Sequence, residues 1–149
     1  MTTRRPSKTA LAEESWRRLF DFFISTRPQR DRVLERLDLT PNDSKALASL
    51  DERGKTMRAL AAEWGCDASN ATWIVDRLEQ RGLAERQVVP SDRRVKLVVL
   101  TTRGARTRSE VMKEFYRPPP ALLQLEQSEL QVLRDALAKL PLPARPRSP

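Results

Sequence analysis

Four of the five residues from Asp92 to Lys96 are charged: Asp92, Arg93, Arg94 and Lys96. With Arg86 close by in sequence they make a compact cationic finger, the kind of group that grips phosphates or enters a duplex groove. Asp92 contributes more than charge, because a carboxylate beside two arginines is expected to hold a guanidinium by a charge-assisted hydrogen bond, which lowers the ordering cost of binding. A solvated turn with one ion pair is the alternative. Upstream, the segment after Cys66 carries Ser69, Asn70, Thr72, Trp73 and Arg77. At about 100° per residue, Ala71, Ile74, Val75 and Leu78 share one face of a helix, and Ser69, Thr72, Trp73, Asp76 and Gln80 share the opposite one. Asn70 and Arg77 fall on a flank, better placed for a phosphate backbone than for a groove floor. The polar residues alone also read as an ordinary solvated face. Trp73 is harder to account for in that way, since an indole opposite the core stripe leaves a large apolar surface uncovered.

Most enzyme chemistry is excluded by what is missing. The 149 residues contain no histidine and one cysteine, Cys66, so a zinc site, a histidine general base and an intrachain disulfide are all ruled out. The carboxylates are scattered among basic residues at helix-surface spacing, where solvated ion pairs explain them. No catalytic residue, metal or cofactor is expected. Cys66 reads as a small side chain packed inward, with no second thiol to resolve an oxidised form. The net charge of +8 suits a polyanion, but +3 comes from Arg4, Arg5 and Lys8 and +2 from Arg145 and Arg147, leaving +3 for residues 10–140. Where particular arginines sit therefore matters more than the total. With no apolar run near the roughly 20 residues of a membrane span, and no apolar segment near Met1, the chain is expected to be soluble and cytoplasmic.

The elements that must position these residues follow from local patterns. Residues 1–9 and 141–149 are basic or proline-rich and are expected to be disordered tails. Leu11, Trp16, Leu19, Phe20, Phe23 and Ile24 form a broad helical stripe that ends near Pro28, with a resumed or second helix carrying Val33, Leu34 and Leu37. Thr40-Pro41 starts a helix through Leu47 and Leu50, Thr56 caps one ending at Gly65, and Asp67 caps one running to Gly82. After Gly82 the period changes, and Leu83–Val89 and Val95–Leu100 read as two strands around the turn Pro90-Ser91-Asp92-Arg93-Arg94. Thr101 or Thr102 caps a helix to about Tyr116, broken by Pro118-Pro119-Pro120. A last amphipathic helix follows, from about Gln127 to Leu140. Two short helices around Gly65-Cys66, then a hairpin, make a winged helix-turn-helix.

Residues 39–104 resemble the MarR family of bacterial regulators. The resemblance is carried by Leu39-Thr40-Pro41, Leu60-Ala61, the run Val75-Asp76-Arg77-Leu78-Glu79-Gln80-Arg81-Gly82-Leu83, the segment Pro90-Ser91-Asp92-Arg93-Arg94, and Leu100-Thr101-Thr102-Arg103-Gly104. It implies a mainly α fold with a small β-wing. A DNA-binding unit at 39–101, with its recognition helix at about 68–81 and its wing at about 83–100, would be flanked by dimerisation helices at 10–38 and 102–140. It further implies a homodimer on a pseudo-palindromic double-stranded operator, most often as a repressor. Ser69, Asn70, Thr72, Trp73, Arg77, Arg93 and Arg94 would then contact DNA, and Arg86, Asp92 and Lys96, read from the charge cluster of the finger itself, complete the expected DNA-binding set. Trp73 departs from the smaller or polar residues usual at its position. A small lipophilic or phenolic effector is also implied, for which Trp16, Phe20 and Phe23 are pocket candidates, although a core or dimer interface accounts for them as well. A protein-interaction module with Trp73 as its hot spot, or an architectural DNA binder without sequence preference, are the competing readings.

Overall fold

The computed structural model describes residues 6–141. Short polar side chains choose most of the helix starts. Ser7 accepts the Ala10 amide at 3.2 Å and opens α1 (Lys8–Ser25), so this helix begins inside the segment that composition assigns to a tail. Pro28, in the first turn of α2 (Arg27–Arg36), starts a new helix rather than ending the chain's helical run. Thr40 and Asp43 form a reciprocal capping box at α3 (Pro41–Ser49). Thr56 caps α4 (Met57–Trp64), Asp67 caps α5 (Ala68–Gln80) and Thr101 caps α6 (Thr102–Phe115). A 3-10 turn at Pro120–Gln124 precedes α7 (Gln127–Ala138). Residues 1–5 and 142–149, most of the two expected tails, lie outside the described residues.

The sheet has one strand more than the sequence pattern suggests. Besides β2 (Ala84–Val89) and β3 (Asp92–Leu100), the two residues of β1 (Lys55–Thr56) pair antiparallel with Val98 and Leu97, giving the order β1-β3-β2. A two-residue strand has no period of its own and exists only because β3 offers it a free edge. Helices α3, α4 and α5 close over this sheet around Leu47, Leu50, Leu60, Val75, Leu78 and Val98, all with essentially no exposed surface. The fold is the expected one, mainly helical with a small wing.

Very close backbone packing joins the base of the wing to α6. Thr101 Oγ1 donates to the Gly82 carbonyl at 2.7 Å and accepts the Gly104 amide at 3.0 Å, and its own amide donates to the Leu83 carbonyl. A Cβ on Gly104 would lie 1.8 Å from that same Leu83 oxygen. Only glycine permits this approach, which is the physical content of the Leu-Thr-x-x-Gly spacing. Gly104→Ala should therefore cost about 3 kcal/mol or more by overpacking. Thermal unfolding should show Tm lowered by roughly 10 °C; an unchanged Tm would mean that the wing and α6 do not touch here.

Candidate nucleic-acid interface

Helix α5 is anchored by a buried charge. Asp43, on α3, is fully buried, and its carboxylate accepts Arg77 Nε at 3.1 Å on one oxygen and 3.0 Å on the other. The second oxygen also takes the Thr40 amide at 2.8 Å, and Arg81 Nη1 stands 3.9 Å away. A carboxylate withdrawn from water is tolerated only when paired and hydrogen-bonded. Arg81 in turn donates to the Leu37 carbonyl at 3.0 Å and to the Asp38 carbonyl, and pairs with the Asp38 carboxylate. These contacts tie α5 to α3 and to the turn before it. With Ala71, Ile74, Val75 and Leu78 buried, the rotation of α5 about its axis is set.

That rotation leaves Ser69, Asn70, Thr72 and Trp73 exposed on the N-terminal half of α5. Arg77 stays on the flank, its side chain one-third exposed and only its Nε engaged by Asp43. The sequence singled out Arg77 as a phosphate contact; its first role in the structure is as a strut. Asp43 itself was not anticipated as part of the site. The local signal for it is the Thr-Pro-x-Asp capping box, but a cap at the surface and a buried anchor look alike in sequence.

The wing is shaped by a bulge. Val88 pairs with Lys96, yet its neighbour Val89 pairs with Asp92, so Arg93, Arg94 and Val95 stand in β3 without partners on β2. The turn therefore closes at Pro90-Ser91, and both arginines lie on the strand side of the tip. Bulges of this kind re-aim side chains away from the ladder. Asp92 Oδ1 accepts the Arg94 amide at 3.0 Å. This corrects the expectation for Asp92: its carboxylate holds the backbone of the tip, not a guanidinium. Arg86 also has a different place from the one expected. Its Nη2 pairs with Asp76 at 2.8 Å, its Nη1 with Glu79, and its amide donates to Glu79 Oε1 at 2.9 Å, binding β2 to α5. Two carboxylates occupy it, and it is not part of a free cationic finger.

Cations near the two elements thus fall into two groups. Arg77, Arg81 and Arg86 are engaged by carboxylates, whereas Arg93, Arg94 and Lys96 are exposed and make no ion pair with any described residue. Unpaired, solvated guanidinium and ammonium groups are the ones available to phosphates. The exposed, polar N-terminal half of α5 and this cationic tip are joined through the Arg86 tie.

The aromatic residues of α1 divide as well. Phe23 lines a cavity of about 590 Å³ together with Leu19, Phe22, Met112, Phe115 and Tyr116. The Arg30 guanidinium lies 4.0 Å from the Phe23 ring centroid. Trp16 and Phe20 pack against each other with centroids 6.1 Å apart on the exposed face of α1 and do not reach that cavity. Cys66, half-buried, packs against the core at the turn between α4 and α5. No group of three or more potential metal ligands occurs among the described residues, and none of their helices is long and apolar enough to cross a membrane.

Residues 37–95 match the model of the MarR family. A curated relative described as an uncharacterized HTH-type transcriptional regulator, YcgE of Bacillus subtilis, is 31% identical over 100 residues, 66% of this chain. That match spans 58% of the relative's own length. Among solved structures, YusO of Bacillus subtilis is 27% identical with a TM-score of 0.70, covering 90% of this chain and 96% of that one. A MepR point mutant of S. aureus, solved bound to an oligodeoxyribonucleotide, is 25% identical with a TM-score of 0.68, covering 83% of this chain and 94% of the other.

The division of the arginines is measurable in stability alone. Arg77→Ala strands the Asp43 carboxylate in the core and should cost about 3 kcal/mol, seen as a Tm roughly 10 °C lower. Arg93→Ala and Arg94→Ala should leave Tm unchanged. Equal melting of all three variants would remove the distinction.

Proposed function

We propose that this chain, whose residues 37–95 match the MarR family model, is a MarR-type DNA-binding transcription regulator whose α5 enters the major groove while the Arg93–Arg94 tip grips the adjacent strand or its minor groove. The observation that carries this reading is the pairing pattern: the arginines that fix α5 and β2 are engaged by carboxylates, and those at the wing tip are unpaired and exposed. Ser69, Asn70 and Thr72 are positioned for base edges or phosphates, with Arg77 and Lys96 at the margins.

The protein acts as a homodimer. No residue of α1 or α7 is buried in the single chain, and α1 exposes Leu11, Trp16, Phe20, Phe23 and Ile24 while α7 exposes Val132, 71% accessible. Two such helices carrying so much uncovered apolar surface need a partner, and a second copy supplies the matching stripe. Two recognition helices related by a twofold axis then address a pseudo-palindromic operator with half-sites about one helical turn apart. Occupying that operator makes the protein a repressor, and a lipophilic or phenolic effector in the cavity beside Phe23 and Arg30 shifts α1 and α6 and releases DNA.

Selection of duplexes from a random library should return an inverted repeat. Affinity for it should fall with a slope of about −0.9 in log salt per phosphate neutralised, and Arg94→Ala should weaken binding and reduce that slope by about 1. Binding with no sequence preference would favour an architectural role, and no binding to any duplex at low salt would end the reading. Sedimentation at micromolar concentration should show a dimer; a stable monomer would count against the operator symmetry.

A further inference from the structure

Trp73 occupies the centre of the outward face of α5, one turn after Ser69 and one before Asp76. It is 54% exposed and makes no hydrogen bond or ring contact with any described residue. Its neighbours on that face are Ser69, Thr72, Asp76 and Gln80, and Asp76 is already engaged by Arg86. The buried Asp43–Arg77 pair prevents α5 from rolling to cover the ring. The indole is thus the single large apolar group that this face presents.

Resting on the reading that α5 lies in the major groove, we propose that Trp73 is a specificity-determining residue that packs against a pyrimidine 5-methyl group and makes that base pair a required position of each half-site. The major-groove edges of the four base pairs are hydrogen-bond donors and acceptors with one apolar exception, the methyl of thymine. An indole has a single donor and no acceptor, so it matches no base edge by hydrogen bonding as well as it matches that methyl. Further from the helix N-terminus than Ser69, Trp73 also has the side-chain length to reach the groove floor from where it stands. Two bases carry the same methyl, thymine and 5-methylcytosine, and the two are distinguished by the test.

The test uses the full-length protein and the duplexes it enriches from a random library, resynthesised with deoxyuridine replacing thymidine one position at a time. Wild type should lose about fourfold in affinity per half-site at one position, the fold-change for burying one methyl-sized group. Trp73→Ala should bind the unmodified duplex more weakly, with unchanged melting, and be indifferent to deoxyuridine there; Trp73→Phe should recover part of both affinity and sensitivity. A 5-methylcytosine·guanine pair at that position that binds better than its unmethylated form adds methylated cytosine as a source of the methyl; no improvement restricts the contact to thymine. If wild type binds its selected duplex but tolerates deoxyuridine everywhere, or if Trp73→Ala keeps full affinity, the proposal is wrong while DNA binding stands. If no duplex is enriched, the proposal falls together with the reading beneath it.

Discussion

A carboxylate with no access to water sits between α3 and α5, and much else is arranged around it. Left alone, the charge of Asp43 would cost several kcal/mol to bury. Arg77 and the Thr40 amide offset that cost at hydrogen-bond distance, and Arg81 adds positive potential just beyond. Because the pair is strong only in this geometry, it leaves α5 little freedom to slide or roll on α3. The apolar stripe could tolerate small rotations by repacking. The buried pair could not.

From that fixed helix the wing inherits its position. Asp76 and Glu79 lie on α5, and both reach Arg86 on β2, so the first wing strand is attached to α5 through charge-assisted hydrogen bonds as well as through the Leu83 and Leu100 contacts with the core. At the far end Asp92 shapes the bulge by accepting a backbone amide. Rigid attachment at the base and backbone shaping at the tip let Arg93 and Arg94 be presented in a fixed direction without any acid neutralising them. Carboxylates near α5 and β2 thus organise the scaffold while leaving the cations at the wing tip unpaired.

The flanking helices obey a different constraint. Helices α1 and α7 leave rows of apolar side chains exposed, and Trp16 and Phe20 stay exposed although their rings pack against each other. The winged unit shares one buried cluster with Leu34 of α2 and Val111 of α6, whereas α1 and α7 bury no residue at all. The cavity beside Phe23 lies where α1 and α2 meet the end of α6, so anything that fills it acts on the junction between these two kinds of structure.

Much of this was legible in the linear order of residues. Caps at Thr40, Thr56, Asp67 and Thr101, and the periods of the stripes between them, are local signals, because each capping bond spans only three residues. They placed the helices, the hairpin and the outward face of α5, including the exposure of Trp73. Partner choice was not legible. Asp43 and Arg77 are 34 residues apart, Arg86 is shared by two acids on another element, and Lys55–Thr56 becomes a strand only beside β3. Sequence alone determined which residues carry charge and which way each helix faces. The tertiary structure decided which arginines are consumed by carboxylates and which remain available, because a guanidinium's partner is set by distances across the fold that leave no periodic trace along the chain.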